Sequence, residues 1–171
     1  MKRGPKPKSK VKIKWSANFA YAIGLIATDG SLSIDRRHIS FTSNDLEQIN
    51  NYMDALKIEC RVETYKSGIP GKTALRVQFS DVGFYNFLNK IGLTNAKSKT
   101  IGKLKVPNKY FYDFLRGSLD GDGTFYSYWD KRWKSSFMFY TEFISASQKH
   151  ITWIQDQIFK RLNIECGLVE M

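Results

Sequence analysis

The order of apolar and polar residues along the chain predicts helices and antiparallel strands in a regular succession. Apolar residues spaced three and four apart indicate helices, and strict alternation indicates half-buried strands. The first half of the chain is predicted to contain a helix at 17–28, strands at 31–35 and 38–43, a helix at 45–57, strands at 60–66 and 74–80, and a helix at 81–91. The second half is predicted to contain a helix at 109–121, strands near 124–129 and 136–144, and a helix at 148–162. Helices and hairpins in this order favour an α+β fold with antiparallel sheets over a parallel sheet.

The two predicted halves share a sequence motif. FAYAIGLIATDGSLS at 19–33 matches YDFLRGSLDGDGTFY at 112–126, so that Asp29 is followed 93 residues later by Asp122. Internal repeats of this kind indicate a supersecondary unit that occurs twice in one fold. We therefore expect a pseudo-twofold tandem repeat in which the two aspartates occupy equivalent places.

A second match supports the repeat and shows where it stops. LKIEC at 56–60 matches LNIEC at 162–166, which places the two cysteines of the chain at equivalent positions. The first repeat is predicted at 15–95 and the second at 109–171. After the second match few residues remain, so the second repeat is expected to be shortened by its last hairpin and helix.

The charge balance points to a polyanionic partner. The 171 residues include 27 Lys and Arg against 16 Asp and Glu, which gives a net charge of +11. Such an excess is typical of nucleic-acid-binding proteins, with an anionic membrane surface as the alternative. The longest apolar run, residues 19–27, is too short to span a membrane, and no apolar secretory segment opens the chain. We therefore expect no membrane partner and an intracellular protein, in the cytoplasm, the nucleoid or an organelle matrix.

Basic residues are concentrated in two acid-free segments. Residues 1–14 contain seven Lys and Arg residues and two prolines, which predicts a flexible basic arm. Such an arm either follows a DNA groove or serves as a general electrostatic tail. Residues 96–108 form a second acid-free basic segment between the repeats and are interpreted as a linker.

Each repeat ends an apolar helix with an acid, Asp29 in one and Asp122 in the other. The C-terminus of a helix carries partial negative charge, so a carboxylate there costs stability unless a cation accompanies it. Mg²⁺ prefers carboxylate, carbonyl and water oxygens, and paired carboxylates with shared ions are suited to phosphodiester hydrolysis. Asp-Gly is also an ordinary helix-stop signal, but two copies in register favour a shared site.

Small residues at four-residue spacing predict how the two helices meet. Gly24 and Thr28 lie on one helix and Gly117 and Gly121 on the other. Small side chains at this spacing let two helix backbones approach closely. If the two helices pack against each other on these faces, both aspartates come to the same end of the helix pair.

The nine-residue segments AIGLIATDG at 22–30 and LRGSLDGDG at 115–123 resemble the paired motifs of the LAGLIDADG homing endonucleases. The resemblance extends over roughly residues 15–166 and agrees in motif, order and spacing. It implies a single chain with two repeats, two interface helices and antiparallel sheets that form a saddle on double-stranded DNA.

The resemblance also implies roles for particular residues. Asp29 and Asp122 match the acids that bind Mg²⁺, with two or three divalent ions shared between them. Lys97 matches the lysine that assists the chemistry, and Gln148 is a catalytic candidate for holding a water. Ser43 or Asn44 is a candidate for the same role as Gln148.

Strand alternation and hairpin tips suggest DNA contacts. In ALRVQFS the apolar residues alternate with Arg76 and Gln78, which then face outward and suit guanine and adenine edges. Tip charges are better placed to neutralise phosphates than to read bases. The predicted tip contacts are Arg36, Arg37, Lys66, Lys131, Arg132 and Lys134. At least one of the neighbouring Trp129 and Trp133 is expected to pack in the core.

Three functions are consistent with these patterns. The first is a monomeric, Mg²⁺-dependent endonuclease that makes site-specific double-strand breaks in DNA, as expected of an intron-homing enzyme. The second is an RNA maturase that binds intron RNA and assists its splicing. The third is a non-cleaving DNA-binding regulator on the same fold. Both retained acids and Lys97 favour cleavage, whereas the shortened second repeat favours the other two.

Overall fold

The computed structural model describes residues 9–66, 73–133 and 135–169. The first half comprises α1 (Ala17–Thr28), β1 (Gly30–Leu32), β2 (His38–Ser43), α2 (Leu46–Leu56), β3 (Val62–Lys66), β4 (Thr73–Ser80) and α3 (Val82–Ile91). The second half comprises α4 (Phe111–Asp122), β5 (Thr124–Trp129), β6 (Phe137–Glu142) and α5 (Gln148–Leu162). The predicted α+β class with antiparallel sheets is confirmed. No helix in the described part of the chain combines the length and apolar character needed to cross a membrane.

The first sheet has four strands in the order β1-β2-β4-β3, all antiparallel. Ile39 and Phe41 on β2 and Val77 and Phe79 on β4 are buried in the core, and Gln78 between them is exposed. This is the predicted alternation, and it leaves the polar face of the sheet in solvent. Apolar burial on one face fixes the register, because a one-residue slip would expose all these side chains.

The second sheet is a hairpin of two strands, β5 and β6, with Thr124 opposite Glu142 and Trp129 opposite Phe137. All six residues of β5 are exposed. The prediction that Trp129 or Trp133 packs in the core is wrong, since both are more than 60% exposed. The helix α5 packs instead against α4, where Trp153 meets the rings of Phe111 and Phe114.

The predicted basic arm is tied to the first half at its C-terminal end. Val11 is buried, and the backbone N–H groups of Lys10 and Val11 donate to one carboxylate oxygen of Asp81 at 2.7 and 2.9 Å. The other oxygen of Asp81 caps α3 by accepting from Phe84 N. Residues 9–14 of the predicted flexible arm are therefore packed in part, and residues 1–8 lie outside the described residues.

The repeat is visible in the helix ends as well as in the sequence. Lys57 after α2 and Asn163 after α5 both adopt the left-handed conformation, with φ of 55° and 54°. Cys60 and Cys166 then both pack against the core, where they are partly buried.

The predicted linker also packs against the core, because Ile101 and Leu104 are buried. β1 ends three residues earlier than predicted, at Leu32.

Candidate functional site

The helices α1 and α4 approach each other through glycine. A Cβ built on Gly24 would overlap the carbonyl oxygen of Phe114 and lie 2.7 Å from the amide nitrogen of Ser118. A Cβ on Gly117 would overlap the carbonyl oxygen of Tyr21 in the same way. Backbone atoms cannot move aside as a flexible side chain can, so both positions require glycine.

The contact continues to the C-terminal ends of the two helices. A Cβ on Gly121 would overlap the hydroxyl oxygen of Thr28 and lie 3.1 Å from Oδ2 of Asp29. Thr28 directs its hydroxyl at its own helix, donating to the carbonyl of Leu25 at 2.9 Å. The structure thus places Gly24, Thr28, Gly117 and Gly121 along one helix interface that leads to Asp29.

Asp29 and Asp122 are brought together at this end of the interface. Burial and, after it, the charge of Asp122 raise the pKa of Asp29 to about 6, against the opposing effects of Lys97 and the Thr28 side chain. The pKa of Asp122 is also raised by loss of hydration against the packed helix ends, with Lys97 opposing. In both carboxylates the main cause is loss of hydration, which disfavours the charged form when no cation is bound.

Lys97 is the basic residue of this cluster. It begins a short 3₁₀ turn, Lys97–Lys99, in the segment between the halves, and its side chain is only 5% exposed. The amine Nζ donates to the carbonyl oxygen of Thr28 at 2.9 Å, at the C-terminal end of α1. Burial lowers the pKa of Lys97 to about 8 against the opposing charges of Asp29 and Asp122.

The end of α4 receives a similar side-chain contact that sequence reasoning missed. Gln48 on α2 donates through Nε2 to the carbonyl oxygen of Asp120. The last carbonyls of a helix have no intrahelical partner, and each interface helix has one of them satisfied by a side chain from outside the helix pair. The two donors are Lys97 for α1 and Gln48 for α4.

A cleft of about 100 Å³ opens beside the cluster. Its polar lining consists of Thr28, Lys97, Ser98, Ser118, Asp122, Ser145 and His150. His150 is buried and donates from Nδ1 to the carbonyl oxygen of Gly102 at 2.8 Å, and burial lowers its pKa.

Gln148, the predicted water-holding residue, lies on the first turn of α5. Its side chain is exposed and lies 3.4 Å from the Thr152 hydroxyl on its own helix, and it is not among the residues that line the cleft. Ser145, three residues earlier, does line the cleft. The signal that could have found it is a repeat: Ser43 accepts from the N–H of the α2 cap two residues on, and Ser145 does the same for the α5 cap.

On the outward face of the four-stranded sheet, some of the side chains contact one another. Gln78 is exposed as predicted. Arg76 instead lies 3.8 Å from Glu63 on the neighbouring strand and stacks over the ring of Tyr65 at 4.6 Å. To contact a DNA base, Arg76 would therefore have to leave Glu63 and Tyr65.

Two of the predicted tip arginines have local acidic partners. Asp35 binds Arg37 and His38 in the first hairpin, and these hydrogen bonds, that from His38 first, hold the pKa of Asp35 well below its usual range. In the second hairpin Asp130 binds Arg132 through two hydrogen bonds of 2.8 and 3.1 Å. The remaining predicted tip residues Arg36, Lys66 and Lys131 are exposed, and Lys134 lies outside the described residues.

The donor set at the helix ends suits a hard divalent cation. No group of three or more His, Cys, Asp and Glu residues with metal-site spacing occurs within residues 9–66, 73–133 and 135–169. Mg²⁺ does not need one, because it commonly keeps several waters and uses one or two carboxylates together with substrate phosphate oxygens. Asp29 and Asp122 supply two such carboxylates.

Known proteins share this fold. The structure matches the homing endonuclease I-WcaI bound to its DNA recognition sequence with a TM-score of 0.57 and 14% identity, over 98% of this chain and 79% of that chain. Full-length DUF199/WhiA from Thermatoga maritima matches with a TM-score of 0.57 and 16% identity, over 95% of this chain and 51% of that one. The N-terminal LAGLIDADG domain of DUF199/WhiA matches at 0.56 and 16%, over 92% and 72%.

Sequence comparison adds one curated relative. A component of the A-type ATP synthase of Methanopyrus kandleri is 31% identical over 104 residues, which are 60% of this chain and 10% of that protein. The chain thus spans about a tenth of that ATP synthase component and about half of WhiA. No protein-family profile matches the chain. The structural similarity shows that this chain has the fold of a LAGLIDADG domain.

Proposed function

We propose that the protein is a site-specific, divalent-metal-dependent endonuclease that cleaves double-stranded DNA. The observation that supports this most is the meeting of Asp29, Asp122 and Lys97 at one end of the helix pair. Fold alone does not decide function, so the proposal rests on this cluster. The homing endonuclease I-WcaI, whose structure contains its DNA recognition sequence, shares the fold.

The two carboxylates would hold the metal. Asp29 projects from the last turn of α1 and Asp122 ends α4, so a cation there meets two carboxylates and the negative ends of two helix dipoles. Mg²⁺, as two or three ions shared by the two acids, would stabilise the charge that develops on the phosphate during in-line hydrolysis. The close helix contact fixes the two acids relative to each other.

Lys97 would act beside the acids on the scissile phosphate. Its amine is held at the Thr28 carbonyl, and a pKa of about 8 allows it to carry or release a proton near neutral pH. In its charged form it offsets negative charge at the phosphate. Ser145 and His150 line the same cleft on the second-half side and are candidates for contacts with the DNA backbone or a water.

The sheets would provide the DNA surface. Gln78 and Arg76 lie on the outward face of the first sheet, exposed Arg36 and Lys66 lie at its margins, and exposed Lys131 lies in the turn of the second hairpin. Phosphate contacts from such side chains give affinity that falls steeply with salt, whereas base-edge contacts give specificity. We expect Arg76 to leave Glu63 when it contacts a base.

The test is cleavage of a diverse library of long duplexes, with sequencing of bound DNA and of new ends in Mg²⁺ and separately in Ca²⁺. We expect discrete double-strand ends in Mg²⁺ that are absent with Asp29→Asn or Asp122→Asn. Asp120→Asn, which removes an acid two residues earlier on the same helix, is the matched control and should still cleave. Specific binding without new ends in either ion would overturn the endonuclease proposal.

A non-cleaving DNA-binding regulator is the second candidate. The first sheet has four strands and the second has two, so the second half offers DNA a smaller surface. This difference between the two sheets favours a regulator. Lys97 is also the single lysine among the described residues that line the cleft, so one lysine serves both acids there. Binding of a specific duplex in Ca²⁺ and Mg²⁺, unaffected by Asp29→Asn and without cleavage, would support it. Selective binding of intron RNA instead of duplex DNA would indicate a maturase.

A further inference from the structure

The second sheet carries three tyrosines on one of its faces, which we call the tyrosine face. Tyr126 and Tyr140 lie directly opposite each other, and Tyr128 lies two residues further along β5. The three rings are parallel to within 11°, and their centroids lie 5.1 to 6.4 Å apart. Tyr126 and Tyr128 are 41% and 43% exposed, and Tyr140 is half-buried. The hairpin therefore presents a layer of aromatic rings to solvent.

The tyrosine face is the counterpart of the outward face of the first sheet. A Cβ on Gly30, which begins β1, would lie 2.7 Å from backbone atoms of α1, and a Cβ on Gly123 would lie 2.7 Å from backbone atoms of α4. Both strands therefore leave their interface helix in the same way. Ser31 follows Gly30 and is exposed on the outward face, so Thr124 and, by alternation, Tyr126 also face outward.

The outward face is open in the first half as well, although that half has four strands. There α2 and α3 pack on the inward face of the sheet, and Gln78 on the outward face stays in solvent. In the second half Phe143, which by strand alternation lies on the face opposite Tyr140, packs against the core. The exposure of the tyrosine face therefore follows from its direction, away from the core.

The first outward face carries polar groups that can bind base edges. Ser40 lies opposite Gln78, and Thr42 lies opposite Arg76, so that hydroxyl, amide and guanidinium groups share one surface. In the major groove an arginine suits the two acceptors of guanine, and a glutamine suits the donor and acceptor of adenine. This face can therefore distinguish bases by hydrogen bonding.

The tyrosine face offers different chemistry at the corresponding positions. Its facing pairs are Tyr126 with Tyr140 and Tyr128 with Met138. The hydroxyl of Tyr126 already donates to Oε1 of Glu142 at 2.8 Å. Rings and a thioether present a mainly apolar surface, and the apolar group that a base pair displays in the major groove is the thymine C5-methyl.

We propose that the tyrosine face reads its half of the DNA site through apolar contact with thymine methyl groups, whereas the first sheet reads its half through hydrogen bonds. This inference rests on the proposed binding of double-stranded DNA and is independent of cleavage. A wrong base opposite a bidentate side chain lowers affinity by about 5- to 150-fold. Loss of one buried methyl group lowers it by only about fourfold. The site is therefore strict in one half and tolerant, with a preference for thymine, in the other.

The charge of the chain favours a duplex over a protein as the occupant of this face. The net charge of +11 attracts phosphates, and exposed Lys131 lies in the turn that joins β5 to β6. Residues 124–142 alone have a net charge of only +1. The hairpin is therefore suited to adding contacts with bases, while the rest of the chain supplies most of the attraction to phosphates.

The experiment selects bound duplexes from a randomised library in Ca²⁺ and then measures affinity for the selected site. Gln78→Ala should relax base preference in one half of the site and Tyr128→Ala in the other, which assigns each half to its sheet. Deoxyuridine lacks only the methyl group of thymidine. Its substitution in the half assigned to Tyr128 should weaken wild-type binding about fourfold per contacted thymine. Tyr128→Ala should abolish this penalty, and Tyr128→Phe, the matched control that keeps the ring, should retain it.

Three outcomes would overturn the proposal while specific binding of a duplex still stands. The first is wild-type affinity that deoxyuridine leaves unchanged, which requires no protein variant. The second is a penalty that persists in both Tyr126→Ala and Tyr128→Ala. The third is a half-site opposite the tyrosines that is as strict as the other. Failure to bind any duplex specifically would overturn this proposal together with the proposed function. Tyr128→Ala should keep the wild-type circular dichroism, because the ring is 43% exposed.

Discussion

The two halves of the molecule carry the same helix motif but differ in how their sheets are completed. In the first half β2 lies between β1 and β4, and its apolar side chains are buried. Among the described residues of the second half, β5 and β6 pair only with each other, and every residue of β5 is exposed. The helix interface is nonetheless continuous from Gly24 to Asp29. The geometry of the acid pair thus depends on the contact between α1 and α4, whereas burial of the first sheet's apolar face depends on helices such as α2 and α3 that pack against it.

The largest expected difference between the two sheets comes from removing one aromatic ring from each of them. Phe41→Ala removes a fully buried ring that stacks on Tyr52 at 4.5 Å, so the free energy of unfolding should fall by about 3–5 kcal/mol. Phe139→Ala should lower it by less than about 1 kcal/mol, because Phe139 is 64% exposed and loses only contacts with exposed neighbouring rings such as Phe137. Urea denaturation at low protein concentration measures both, and equal losses would contradict the difference between the sheets.

The shared feature of the halves is the glycine contact, which Gly24→Ala should disrupt. A methyl group there would meet backbone atoms of Phe114 and Ser118, so we expect a loss of about 3 kcal/mol in unfolding free energy. Gly102→Ala is the control, because nothing lies within 4 Å of a Cβ at that position. If the two variants unfold at the same denaturant concentration, the close approach of α1 and α4 is not present in solution.

The third prediction concerns the charge at the end of that contact. The pKa of Asp29 is raised to about 6 from 3.8, so its protonation stabilises the metal-free fold below pH 4 and that stabilisation is lost as pH rises through 6. Asp29→Asn should therefore be more stable than wild type by about 1 kcal/mol at pH 7 in EDTA. The advantage should shrink toward pH 4. Thermal unfolding across this range measures it, and an advantage that grows on acidification would have the wrong sign.

The smallest expected effect concerns the residues that follow α2 and α5, which are equivalent in the two halves. Lys57 and Asn163 both adopt positive φ, which costs a lysine about 1 kcal/mol and an asparagine less. Lys57→Gly should raise the unfolding free energy by about 0.5–1 kcal/mol, and Asn163→Gly by no more than a few tenths. Chemical denaturation of the two variants compares them directly. A larger gain for Asn163→Gly would argue against equivalent caps.

Local sequence signals predicted the helices well. The bounds of α1 and α5 agree with the predicted 17–28 and 148–162, because apolar periodicity and the loop residues around them act locally. Partners chosen by strand register were not predictable in the same way. Arg76 pairs with Glu63 only because β3 and β4 align those two residues.

The site was predictable in part for the same reason. The sequence could identify three site residues because they lie at positions of the repeat or of the motif: Asp29, Asp122 and Lys97. Gln48, Ser145 and His150 reach the helix ends or the cleft through tertiary packing, for which the sequence carries no local signal beyond the repeated serine before each helix cap. Exposure of Trp129 and Trp133 was missed because a strand pattern does not show whether another element covers it.

The central claim is that one carboxylate from each half builds a single cation site. The most direct measurement is the rise in unfolding temperature caused by Mg²⁺ in wild type, Asp29→Asn, Asp122→Asn and the double variant, each referenced to its own value in EDTA. A shared site predicts that either single variant loses nearly as much of the rise as the double variant does. Losses that simply add, or a full rise in the double variant, would contradict the claim.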